Sequence, residues 1–90
     1  MVQSYFKELR FWVAHYAHPE LEDKRAIQDF WENEPIERHN SLRVELVAIS
    51  RGAFDEQVLD EVIGKRRVAR HSSYQEWAKL MLLWLSQARS

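Results

Sequence analysis

Val2, Tyr5, Phe6, Leu9, Trp12, Val13 and Tyr16 recur at steps of three, one, three, three, one and three. At 3.6 residues per turn they fall on one stripe, which predicts an amphipathic helix over 2–17. His18-Pro19 ends it, because the residue before a proline is pushed out of the α region. Pro19 fits the first turn of a second helix, where its missing N–H costs nothing. Glu20, Glu22 and Asp23 then suit the positive end of that helix's dipole. Ala26, Ile27, Phe30 and Trp31 supply its buried face, and Asn33-Glu34-Pro35 stops it.

Pro35 can open a third helix in the same way, with Ile36, Leu42, Leu46 and Ile49 inward. Leu42, Val44 and Leu46 also alternate, and Val44, Val47 and Ile49 are β-branched, so 42–49 also fits a strand. A lone strand needs a partner, and no second candidate exists, so the helix is preferred. Gly52 punctuates the chain. A fourth helix follows, with Asp55 and Glu56 near its start and Phe54, Val58, Leu59, Val62 and Ile63 on its apolar side. Gly64 either caps it or is run through to about Arg70. Ser73-Tyr74-Gln75-Glu76 reads as a capping box. It opens a last helix on which Tyr74, Trp77, Ala78, Met81, Trp84, Leu85 and Ala88 repeat the spacing of the first. Leu80, Leu82 and Leu83 widen that stripe, so this helix is expected at the centre.

These elements predict an all-α fold, a compact bundle of four or five helices in one domain over residues 1–90. Composition agrees. In 90 residues, 46% are hydrophobic, four are Trp, and Gly and Pro number two each. That is enough apolar matter for one modest core and too little turn chemistry for an all-β domain. Cysteine is absent, which excludes disulfides and thiolate chemistry. Residues 1–18 carry Lys7, Glu8, Arg10 and two His among the apolars, unlike a signal peptide. The longest apolar run, Leu80 to Leu85, is too short for a membrane span. A soluble, cytoplasmic protein is the expectation.

The net charge of −1 hides an asymmetry. Residues 19–64 hold twelve acids against five bases, and residues 65–90 six bases against one acid. Such segments steer charged partners, or simply form solvated helix faces.

Little in the chain reads as catalytic, and no enzyme activity or cofactor is expected. His15 and His18 are three apart with Glu22 nearby, a weak metal signal beside a proline break. His71-Ser72-Ser73 are sequence neighbours, which rarely form a triad, and Ser73 is better explained as an N-cap. Gly52 and Gly64 do not make a phosphate loop. The basic run Lys65, Arg66, Arg67 and Arg70 could meet phosphates, although nucleic-acid readers usually carry a clear positive excess. Trp12, Trp77 and Trp84 lie on inward stripes and read as core. Trp31, among Asp29, Glu32 and Glu34, reads either as a core edge or as a protein-binding anchor.

The order of these features resembles the small helical immunity proteins of bacterial contact-dependent growth-inhibition systems. The similar pieces are Leu9 to Tyr16 with His18-Pro19, Ala26 to Trp31 leading to Asn33-Glu34-Pro35, and Leu42 with Glu45-Leu46. Gly52 to Glu56 with Leu59, and Ser73 to Trp77, complete the series. The Lys65–Arg70 run departs from it, since a more acidic, aromatic stretch is expected there. The resemblance implies a cytosolic antidote that binds and blocks the toxic C-terminal domain of a cognate effector, often a nuclease with a basic cleft. An acidic surface would complement such a cleft. The acids expected to meet it are Glu20, Glu22, Asp23, Glu32, Glu34, Glu37, Asp55, Glu56, Asp60 and Glu61, with Trp31 as candidate anchor. Two alternatives stand beside it: a small helical nucleic-acid-binding regulator using Lys65, Arg66, Arg67 and Arg70, and a helical protein-interaction adaptor. The stripes fit a monomer and a homodimer equally.

Overall fold

The computed structural model describes residues 6–17, 22–69 and 71–88. Six helices and no strand are present among them: α1 (Lys7–His15), α2 (Asp23–Asn33), α3 (Ile36–Ser50), α4 (Glu56–Val62), α5 (Lys65–Val68) and α6 (Tyr74–Ala88). The all-α bundle expected from the apolar spacing is observed. Residues 42–49 are helix throughout, inside α3. The count exceeds five because the fourth helix does not run on. It ends at Val62, and Gly64 at φ 92° turns the chain into the single helical turn of α5.

Local chemistry accounts for several helix ends. Pro35 stands before α3, its carbonyl accepting from the amides of Arg38 and His39. At the far end Gly52 sits at φ 83°. The Gly52 amide donates to Ile49 O at 3.0 Å and the Ala53 amide to Ala48 O at 2.8 Å, which is a Schellman closure. Asp55 caps α4 by accepting from the Gln57 amide at 2.9 Å. Ser73 caps α6, accepting from the Glu76 amide at 3.2 Å. Only that half of the expected capping box is seen, because the Glu76 carboxylate accepts from Lys79 instead.

One core joins the helices. Trp12, Trp77, Phe30, Leu9, Ile27, Leu42, Leu46, Ile49, Leu59, Met81 and Leu85 are fully buried in it. α6 packs most extensively, against α3 and α2, as its broad apolar surface predicts. Trp12 and Trp77 meet with ring centroids 6.3 Å apart, so the similar stripes of the first and last helices converge. Trp84 packs half-buried against the core edge. Two apolar assignments are corrected: Leu83, read as widening the stripe of α6, is 51% exposed, and Ile36 is 54% exposed. It lies six residues before Leu42, about 120° around the helix from it. His39 takes the inward position of that first turn.

Candidate functional site

The acids expected to face a partner fall into three sets. Glu20 lies outside the described residues. Glu22, Glu32, Glu37, Asp55, Glu56 and Glu61 are exposed. Asp23, Glu34 and Asp60 are engaged inside the fold, as follows.

Asp23 opens α2 but is not an exposed acid. Its Oδ1 accepts from Arg67 Nη1, and its Oδ2 accepts from Trp77 Nε1 at 3.0 Å. Arg67 Nη2 donates to the Ala17 carbonyl at 2.9 Å. The Arg67 and Asp23 side chains are only 17% and 12% exposed. This node ties α2, α5 and α6 to the end of α1. A planar guanidinium can bridge two acceptors in this way, where an ammonium could not do so with the same geometry.

Glu34, just past α2, accepts from the Tyr16 phenol and pairs with Arg38 at 3.2 Å. Arg38 also donates to Glu8 at 2.8 Å and lies 3.9 Å over the centre of the Phe11 ring. The Glu8 hydrogen bond first, and the charges of Glu8 and Glu34 after it, hold the Arg38 guanidinium firmly protonated. Desolvation and the Glu34 carboxylate push the Tyr16 phenol up to about 12. The Tyr74 phenol is likewise pushed up, by burial and then by Asp60, to which it donates.

The corner between α2 and α3 has a different character. Trp31 is half-buried and stacks on His39, ring centroids 3.8 Å apart and planes 22° from parallel. His39 is 5% exposed, and neither ring nitrogen has a hydrogen-bond partner among the described residues. Glu32 on one side of the corner and Glu37 on the other are exposed, and neither forms an ion pair with a described residue. Trp31, Glu32 and Glu37 of the expected set thus lie on either side of one connection, at the end of α2 and the start of α3. Asp55, Glu56, Asp60 and Glu61 form a separate group on and beside α4.

The basic run is partly spoken for. Arg67 is held by Asp23, and Lys65 lies 3.7 Å from Asp60 and 3.9 Å from Glu56. Arg66 is exposed, and Arg70 lies outside the described residues. An open groove of about 360 Å³ beside this run is lined by Phe54, Lys65, His71, Ser72 and Tyr74, with Glu56 at its wall. Among the described residues no group of three or more His, Asp or Glu is arranged to hold a metal. No helix of the described residues is long and apolar enough to cross a membrane. His18, of the weak His15/His18 pair, lies outside the described residues.

Sequence reading missed Arg38, Glu45 and His39. The Glu34/Arg38 spacing of four residues was a legible signal. Glu45 carried none: its carboxylate crosses from α3 to accept from the amides of Glu8 and Leu9 at 2.8 and 2.7 Å, capping α1. Phe6, at the N-cap position, has no side chain able to do so. Burial raises the Glu45 carboxyl above its usual range, against the lowering effect of those two amides. No family model, curated protein or solved structure matches the chain.

Proposed function

We propose that this chain is a protein-binding module of the immunity type, which neutralises the toxic C-terminal domain of a cognate effector. The observation that supports the reading is the α2–α3 corner. Half-buried Trp31 lies there near Glu32 and Glu37, exposed carboxylates with no ion-pair partner among the described residues. An aromatic held rigid by stacking loses little entropy when a partner covers it. Such carboxylates near it attract a cationic surface such as a nuclease cleft, and raise the association rate at low salt. Arg67 and Lys65 already have acidic partners, so the basic run is less available for phosphates than its sequence implies.

The test is calorimetry between this protein and the C-terminal toxin domain encoded immediately upstream of it, at two salt concentrations. One-to-one nanomolar binding that protects cells supports the proposal. Glu32→Lys with Glu37→Lys should slow association and weaken binding at least roughly tenfold, while leaving the fold intact. Glu34 is left out of this reversal because it supports Tyr16 and Arg38. Absence of binding would overturn the immunity reading. Unchanged affinity in the double variant would overturn the role of this corner.

A further inference from the structure

Val44 is 69% exposed, the most exposed large hydrophobic among the described residues. Glu37 lies seven residues before it and Arg51 seven after. Seven residues make two turns less about 20°, so the three residues share one face. Arg51 is the C-cap of α3, and its amide still donates to Val47 O at 3.1 Å in the helical i to i−4 pattern, so the face extends to it. Glu37 and Arg51 are both exposed, and neither is paired with another described residue. In their own chain they are fourteen residues apart, about 21 Å along the axis, beyond reach of each other. The side chains between them on this face are short: Asn40, Ser41, Val47 and Ala48.

We propose that this face is the interface of a homodimer in which α3 packs antiparallel against α3 of a second copy, with the two-fold axis at Val44. An isologous contact must be self-complementary. Antiparallel pairing about Val44 sets residue 44 − n opposite residue 44 + n. Val44 meets Val44 of the second copy on the axis. Glu37 meets Arg51 of the second copy at one end, and the same pair recurs at the other. Asn40 meets Ala48 of the second copy, a small-residue contact that lets the helices come to about 8–10 Å. Residues spaced by seven suit the crossing of about 20° typical of such pairs. The occupant is therefore a copy of this chain, because a single surface carries the apolar centre and both opposite charges at matched distances from it. This proposal does not rest on the immunity reading. Glu37 is common to both surfaces, so a dimer of this kind would release Glu37 before a toxin domain could use it.

Sedimentation of the whole chain alone, over a wide concentration range, tests it. A reversible monomer–dimer equilibrium is expected. Val44→Asp should weaken it at least roughly tenfold by placing two carboxylates together on the axis. Glu37→Arg and Arg51→Glu should each weaken it several-fold, and the double variant should restore it to within about threefold. Because the two residues are about 21 Å apart in one chain, that rescue has to act between copies. The swapped variants change only exposed side chains, so they remain informative if Val44→Asp does not fold. The chain has no native cysteine, so Val44→Cys should oxidise to a dimer faster than Leu83→Cys, another exposed position. A chain that stays monomeric to millimolar concentration would overturn the proposal. A dimer indifferent to Val44→Asp, or single charge variants not rescued by the double one, would overturn it equally.

Discussion

Arg67→Met is the most informative single perturbation of the fold. It keeps an apolar stem of similar length and removes the guanidinium. Asp23 then retains only Trp77 Nε1, and the Ala17 carbonyl loses its side-chain donor. Removing one partner of a fully buried ion pair costs about 3–5 kcal/mol, because the other charge is left uncompensated. Here the two side chains keep 17% and 12% of their exposure, and one hydrogen bond to Asp23 survives. The expected loss is therefore smaller, about 2–3 kcal/mol. For a chain of this size that lowers the melting temperature by roughly 10–20 °C. Arg67→Lys should recover only part of the loss, since an ammonium cannot bridge Asp23 and Ala17 with the same fork. Urea unfolding followed by tryptophan fluorescence measures both variants, and Trp77 sits at the node itself. Asp23→Asn and the double variant complete a cycle that isolates the pair. If Arg67→Met costs less than about 0.5 kcal/mol, or the cycle shows no coupling, the node is not holding α2, α5 and α6 together.

Three further outcomes are expected. Glu45→Gln leaves one of the two α1 amides facing an amide NH2 group and should cost about 1–2 kcal/mol at neutral pH. Because the fold raises the Glu45 carboxyl, its protonated form is favoured in the folded state, and that contribution is full below the ordinary value of 4.5 and lost as pH rises through the folded value. The stability gap between native chain and Glu45→Gln should therefore widen as pH falls through that window, and denaturant titrations showing it narrow would refute the sign. His39→Phe keeps the stack on Trp31 and removes two buried nitrogens that lack partners among the described residues; it should stabilise by about 1 kcal/mol, and a fall in melting temperature would show that the imidazole is needed where it is. Gly52→Ala forces a side chain to φ 83° with Gln75 Nε2 3.3 Å from the new Cβ; calorimetric melting should show a loss of about 1–2 kcal/mol, and no loss would mean the α3 closure relaxes freely.

The spacing of apolar residues along the chain carried the architecture. Steps of three and four mark the inward faces of α2, α3, α4 and α6, and Pro35, Gly52, Asp55 and Ser73 mark their ends. Those signals are legible because a helix face and a cap are set by residues within one or two turns. The same local logic misplaced Ile36, since a stripe read without its neighbours does not say which side meets the core. The candidate site was legible only in part. Trp31, Glu32 and Glu37 stand where an acidic-aromatic corner was expected, but the charge count could not separate free acids from engaged ones. Asp23 and Glu34 look in sequence like Glu32. Their partners, Arg67 and Tyr16, lie 44 and 18 residues away.

The sequence by itself determined that this chain is helical, where α3, α4 and α6 begin, and that one aromatic-rich core is available; it placed Glu22 inside the second helix, which starts at Asp23, and did not separate α5. The tertiary structure decided which polar groups close the fold. Glu45 caps a helix 36 and 37 residues earlier, Trp77 reaches an acid 54 residues before it, and Arg38 gathers Glu8 with Glu34. A buried or half-buried polar atom takes whatever partner the packing brings within about 3 Å, and its desolvation makes that choice strong. Periodicity carries no trace of such choices, because they depend on how helices cross rather than on how each one forms.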